Sequence, residues 1–198
     1  MKRAAIDIGT NSIRLLIADV GEELKRIEKR TTITRLGKGV DSRGLLNCDA
    51  ILNSIDVLMQ YKKAAYDYGI DEINAIATSA VRDAANRQEF IDLVKEKTGI
   101  SIEVISGEKE AELGFAGASL AVCGRKCTVI DIGGGSTELI SGADGSIGVS
   151  ASINAGAVRI TEKFFHSDIL DSHSILNAYE FIRGLTGGII ETIRALGN

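Results

Sequence analysis

Cysteine is scarce in this chain. Three thiols among 198 residues are an odd number without a framework spacing, which fits a reducing compartment rather than a disulfide scaffold. Cys123 and Cys127 flank Gly-Arg-Lys, not a usual zinc spacing, and His166 and His173 sit too far along the chain to complete a site. All three cysteines, Cys48 included, are expected to be free. Long apolar runs are lacking too: nothing approaches the ~20 residues of a membrane span. Met1-Lys2-Arg3 leads straight into strand pattern, with no secretion signal. A cytoplasmic chain with no membrane association is the expectation. Net positive charge is missing as well. A formal charge of -4 excludes broad, nonspecific nucleic-acid binding, so no nucleic-acid partner is expected. A polyanionic ligand stays compatible if local cations, metal ions and backbone donors meet it.

Against these absences stands an apolar fraction of 44%, enough for a core in one large domain or two small ones. One stretch organises the rest: Val129-Ile-Asp-Ile-Gly-Gly-Gly-Ser-Thr-Glu-Leu-Ile140. An apolar run ends in a carboxylate, then come three glycines, two hydroxyl residues, a second carboxylate and more apolar residues. The pattern reads as strand, tight turn, strand, with Gly133, Gly134 and Gly135 free to adopt backbone angles closed to other residues. Glycines also let main-chain N–H groups approach an anion unobstructed. Asp131 and Glu138, at either end of the loop, can bring a hard divalent cation to the same place.

Ile6-Asp-Ile-Gly-Thr-Asn-Ser-Ile-Arg-Leu-Leu-Ile17 is an earlier copy, with Asp7 on Asp131, Gly9 on Gly133, Ser12 on Ser136 and Leu15 on Leu139. Two related hairpins predict a duplicated domain whose phosphate loops face each other across a cleft.

The periodicities predict strands at 4–8, 13–20 and 24–33, then a glycine-rich loop over 35–46. A helix capped by Asn47 or Asp49 runs to about Tyr68, and a strand over 73–77 leads to a polar turn. Asn86, with Glu89 three residues on, reads as the N-cap of the next helix. A strand over 100–105 and a helix opening at Ser106 close a βββαβαβα cycle, a mixed sheet with crossovers and a site at the strands' carboxyl ends. The cycle restarts after Lys126 with strands at 127–132, 137–141 and 147–153 and two helical stretches, then breaks off. The domains are accordingly read as residues 1–124 and a partial second copy over 125–198.

Glu110 is the candidate for chemistry. Glu108 and Glu110, two apart on a helix, point to nearly opposite sides, and Glu110 shares a stripe with Gly114 and Gly117, where another element can approach closely. The alternative is that these acids only favour the helix dipole. Arg82, after a buried strand, is placed to meet a phosphate with two donors, or to form a surface ion pair. Arg14 is open between a phosphate contact and a solvated strand residue.

These segments resemble the exopolyphosphatase / guanosine pentaphosphate phosphohydrolase family of the actin-like ATPase superfamily. The resemblance is carried by Asp7-Ile-Gly-Thr-Asn-Ser12, Thr78-Ser-Ala-Val-Arg-Asp-Ala-Ala-Asn86, Ile105-Ser-Gly-Glu-Lys-Glu-Ala-Glu-Leu113 and Asp131-Ile-Gly-Gly-Gly-Ser-Thr-Glu138. The middle two are the more specific. The resemblance implies an actin-like (ribonuclease H-like) duplicated α/β fold with an incomplete second copy. It implies Glu110 as the catalytic glutamate that activates water, and Asn11, Ser12, Arg82, Gly133, Gly134, Gly135 and Ser136 as phosphate contacts. Asp131 and Glu138, with Asp7 a further candidate, would hold Mg²⁺ or another divalent cation such as Mn²⁺. Lys109 stands where the family often has an acid, so a cation there would be placed to hold substrate phosphate. The implied activity is release of terminal phosphate from inorganic polyphosphate, with guanosine pentaphosphate the second candidate substrate and a homodimer the expected assembly. An ATP-dependent kinase of the same superfamily, and a phosphate- or nucleotide-binding scaffold without turnover, are the alternatives. Family members continue beyond the last helix seen here.

Overall fold

The computed structural model describes residues 1–120, 126–167 and 169–195. The chain divides into two compact units, Met1–Ile105 and Ser106–Asn198.

The first unit is built on a five-stranded sheet. Its strands are β1 (Lys2–Ile8), β2 (Ser12–Val20), β3 (Leu24–Ile33), β4 (Ile73–Ala77) and β5 (Ile102–Val104), ordered β3-β2-β1-β4-β5. β1, β2 and β3 form an antiparallel meander, and β4 and β5 add in parallel to β1. The charged strand β3 lies at the sheet edge, mostly exposed, where Lys and Arg discourage pairing with another chain. Four helices accompany the sheet: α1 (Val40–Arg43), α2 (Cys48–Asp67), α3 (Ser79–Asp83) and α4 (Arg87–Thr98). Asn47 caps α2, its side-chain oxygen accepting from the Asp49 N–H. Ile51, Ile55, Leu58, Tyr61 and Ala65, at helical spacing, are buried with Ile6, Ile8, Ile13 and Leu15 of the sheet. Gly69 and Gly99 end α2 and α4 with left-handed backbone.

Four local expectations change. The polar turn after β4 is the short helix α3, and the glycine-rich loop contains α1. Asn86 makes no side-chain cap for α4. Its amide instead accepts from Leu46 N–H at 2.8 Å and donates to Leu46 C=O, because a side chain with both donor and acceptor satisfies a passing loop better than one helix end. The fifth strand is shorter than its apolar run.

The second unit opens with helix α5 (Gly107–Ser119), capped by Ser106, whose hydroxyl accepts from the Lys109 N–H. Strands β6 (Cys127–Ile132), β7 (Thr137–Ala143) and β8 (Ser146–Ile153) form an antiparallel meander, followed by α6 (Ala157–Phe164) and α7 (Ser172–Ala195). One face of this sheet packs on α5, through Ala111, Phe115, Ile140, Cys127 and Val129. The other packs on α7, through Leu139, Ile153, Ala155 and Ile193. The predicted boundary at 124/125 lies outside the described residues. The chain's contacts divide it after Ile105 instead, because the apolar stripe of α5 is buried against the second sheet. Ile130 and Ile132 of β6 remain 61% and 67% exposed. Cys48 and Cys127 are free thiols; Cys123 lies outside the described residues. Among the described residues no helix is long and apolar enough to cross a membrane.

Candidate active site

The repeated hairpins have the same backbone turn. Gly9 N–H donates to Ser12 C=O at 3.0 Å, and Gly133 N–H donates to Ser136 C=O at 2.9 Å. A Cβ on Gly9 or Gly133 would lie 3.1 Å from the same serine oxygen in each case. Gly133, Gly134 and Gly135 are not among the positive-φ residues. Gly133, like Gly9, serves close approach, and none of the three adopts the unusual backbone angles expected of them.

What stands across from the first carboxylate differs. Asp7 pairs in register with Arg14, whose Nη1 donates to Asp7 Oδ2 at 3.4 Å. Asp131 pairs in register with Glu138, and Glu138 with Ser152 on the next strand. The first hairpin therefore carries a neutralised pair, the second two carboxylates side by side on one sheet face. Glu138 is only 2% exposed, and the Ser152 hydroxyl donates to its Oε1 at 2.7 Å. Asp131 is exposed at the end of the row.

Helix α5 lies on this row. A Cβ on Gly107 would fall 2.5 Å from Ser152 Oγ, and one on Gly114 would reach 3.7 Å from Asp131 Oδ2. Ala111, between them, is fully buried. Gly107, Ala111 and Gly114 form the small-residue stripe that lets helix and sheet approach. Glu110, three after Gly107 and four before Gly114, is half-buried on the edge of that stripe, while Glu108 is exposed. Gly117, also expected on the stripe, faces open space. Lys109 Nζ is paired with Glu112 at 2.9 Å.

The second loop is held from behind by the start of α6. Gly133 C=O accepts from Ala157 N–H, Gly134 C=O from Val158 and Arg159 N–H, and Gly135 C=O from Gly156 N–H. Arg159 Nε donates to Gly135 C=O as well, at 2.9 Å. With the carbonyls engaged, what the loop can offer an anion is main-chain N–H; the Gly133 N–H is itself used to close the turn, and Ser136 is only 1% exposed.

In the first unit the loop is tied to α3 by the Thr10 and Ser79 hydroxyls, 2.8 Å apart and buried. Asn11 is exposed and Ser12 half-buried at the start of β2. Arg82 of α3 is half-buried, its Nη1 donating to Ile105 C=O at 3.0 Å and its Nε 3.8 Å from Asp83. Ser152, Gly156 and Arg159 carried no sequence signal of their own, since each acts through a partner distant in the chain; Thr10 and Ser79 lie within the motif segments, but their pairing joins positions far apart.

The second hairpin's donor set fits a hard divalent cation. Asp131 and Glu138 are adjacent carboxylates, and no group of three or more His, Cys, Asp or Glu suited to a metal occurs among the described residues. Two carboxylates, with the remaining positions left to water and phosphate oxygens, suit Mg²⁺ better than Ca²⁺, which takes more protein oxygens.

Glycine-turned β-hairpins repeated on two α/β sheets place the chain in the actin-like fold. A family model described as the Ppx/GppA phosphatase family matches residues 16–197, and the chain belongs to that family. It is 40% identical over 192 residues to Exopolyphosphatase 2 of Mycobacterium tuberculosis, a match covering 91% of this chain and 60% of the relative. An exopolyphosphatase from Cytophaga hutchinsonii has a TM-score of 0.92 at 29% identity, covering 98% of this chain and 64% of that one. The Aquifex aeolicus family member has a TM-score of 0.78 at 34% identity, covering 96% and 62%. The chain thus spans about 60% of the length of the curated exopolyphosphatase it matches.

Proposed function

We propose that this chain carries the phosphate-binding and water-activating part of a phosphoanhydride hydrolase acting on the terminal phosphate of inorganic polyphosphate. The observation that carries the reading is the Asp131–Glu138–Ser152 row beneath the helix that bears Glu110. The exopolyphosphatase names of its relatives support polyphosphate as the substrate class. Guanosine pentaphosphate presents the same terminal anhydride, and the same residues would serve it.

Phosphoryl transfer asks for positioning and charge neutralisation more than for covalent chemistry. The N–H groups of Gly134 and Gly135 hold phosphate oxygens, while Gly133, whose N–H closes the turn on Ser136 C=O, and the buried Ser136 fix the shape of the loop. Asn11, Ser12 and Arg82 are the phosphate contacts of the first unit. Asp131 and Glu138 would hold Mg²⁺ or Mn²⁺, which offsets phosphate charge when bound. Ser152 keeps the Glu138 carboxylate oriented, and Glu110 takes the proton from the attacking water. A positioned general base is typically worth about 10²–10⁴-fold.

The test is phosphate release from long-chain polyphosphate and, separately, from guanosine pentaphosphate, by this chain and its Glu110→Gln variant with Mg²⁺. Release that falls at least about 10²-fold in the variant supports the mechanism, and the faster substrate identifies the specificity. Equal release from both proteins removes Glu110 from the role. ATP consumption coupled to a sugar would replace hydrolase by kinase, and ligand binding without release would replace it by scaffold.

A further inference from the structure

Among the described residues, the large apolar side chains that the helices of the first unit leave exposed are Leu52, Met59 and Tyr66, all on α2, at 58%, 43% and 68%. They recur every seven residues. At 3.6 residues per turn the three lie within about 40° of one another around the helix. A seven-residue apolar repeat returns to one side of a helix, as where one helix meets another along its length. Ile51, Ile55, Leu58 and Tyr61 of the same helix are buried in the core, so the stripe is a second apolar line on α2.

Two charged residues flank it. Asp56 and Lys63, both exposed, are also seven apart and fall within about 20° of each other on one side of the stripe. With a rise of 1.5 Å per residue, Asp56 lies about 4.5 Å before Met59 and Lys63 about 6 Å after it. Leu52 and Tyr66 lie about 10.5 Å to either side. A two-fold axis through Met59 that lays a second α2 antiparallel on the first therefore sets Met59 on its own copy, Leu52 on Tyr66 and Asp56 on Lys63. Each unlike pair occurs twice, and the axis keeps acid and base on the same flank. Such a face is complementary to itself. A parallel arrangement would set Asp56 against Asp56 and Lys63 against Lys63, which like-charge repulsion disfavours. Lys63 Nζ lies 3.5 Å from Asp67 of its own helix, with both groups largely exposed. That pair is worth little, and an ammonium with three donors can keep it while meeting a second carboxylate.

We propose that this face of α2 is an antiparallel, two-fold dimer contact whose occupant is a second copy of this chain. One helix face buries less than the ~800 Å² per partner of a standard interface, so the dimer is weak and concentration-dependent. The contact uses none of the residues assigned to phosphate or metal, so hydrolysis and self-association are separate tests.

Sedimentation equilibrium of the whole chain over a concentration series measures it, alongside Asp56→Lys, Lys63→Glu and the two combined. Each single substitution sets like charges opposite one another at both pairs and is expected to weaken the dimer about tenfold. The double substitution exchanges the signs and is expected to restore it. An equimolar mixture of the two single variants is expected to pair more tightly than either alone, because each supplies the charge the other lacks. Met59→Glu, which puts two carboxylates on the axis, is expected to abolish association. The replaced side chains are exposed, and an unchanged circular dichroism spectrum checks that each variant is folded. A parent chain that stays monomeric throughout overturns the proposal and leaves the stripe to a different protein or to plain surface. A dimer indifferent to all the substitutions also overturns it and moves self-association to another face. Weakening in both single variants without recovery in the mixture refutes the pairing of Asp56 with Lys63.

Discussion

Replacing Gly156 by Ala isolates the contact that supports the glycine loop of the second hairpin. Gly156 sits at φ −99°, ψ 166°, extended backbone that any residue adopts. In such a place Gly→Ala ordinarily stabilises by about 0.4–1 kcal/mol, because alanine has less unfolded freedom to lose. Here the new Cβ would lie 2.4 Å from Gly134 C and 2.5 Å from Gly134 O and Gly135 N. Those atoms are backbone, and the same loop accepts amide bonds from residues 156–159, so no flexible side chain can yield. Overpacking typically costs about 1–3 kcal/mol, and a contact with doubly tethered main chain belongs at the upper end. The net expectation is a loss of about 2–3 kcal/mol, opposite in sign to the ordinary effect. Guanidinium unfolding of Gly156→Ala measures it, with Gly184→Ala as control. Gly184 lies inside α7 with nothing within 4 Å of its Cβ position, so alanine there should stabilise by about 0.5–1 kcal/mol. Phosphate release should fall in Gly156→Ala together with stability. A Gly156→Ala protein as stable as wild type, with intact phosphate release, would refute the argument that α6 sets the loop's shape.

Two further outcomes follow from named residues. Mg²⁺ at about 100 times its dissociation constant should stabilise the wild-type chain by about 2.7 kcal/mol; in Glu138→Gln that increment should disappear, and an equal thermal shift in both proteins would take Glu138 out of the cation site. Acid should loosen the start of α7: Asp171 is held below the ordinary carboxylate value of 3.8 by hydrogen bonds from the Ser174 hydroxyl and amide. A lowered folded value means that this stabilisation is complete above the unfolded value and is lost as pH falls through the folded one. Helicity followed by circular dichroism should therefore decline less steeply over that acid range in Asp171→Asn, and identical profiles would remove the cap from the account.

The sequence by itself determined the elements and the family. Period-2 and period-3.6 patterns, the Asn47 and Ser106 caps and the Gly69 and Gly99 stops are local signals, because each depends on residues within one or two turns. The paired hairpins were legible for the same reason: Gly9 and Gly133 each bond a serine three residues away. That Glu110 rather than Glu108 is the less exposed of the two followed from helical spacing, although the stripe it borders runs through Gly107, Ala111 and Gly114 and not through Gly117.

The tertiary structure decided which residues meet. Sequence aligned Asp7 with Asp131 as equivalents, yet strand pairing sets one opposite Arg14 and the other opposite Glu138, so that only one hairpin carries an acidic pair. The service of Ser152 to Glu138 depends on an irregularity. The β7–β8 turn at Asp144-Gly145, both with positive φ, reads as a two-residue hairpin, and regular counting from it sets Glu138 opposite Ala151. A register shift between Ser141 and Gly142 moves Ser152 into that place instead. Such a bulge is set by packing, here the close approach of Phe115 and Ser146 to Gly142, which no local pattern encodes. Membership of α5 in the second unit, the anchoring of Leu46 by Asn86 and the need for glycine at 156 have the same origin. Each is a contact between segments far apart in the chain, where burial and hydrogen-bond satisfaction outweigh local preference.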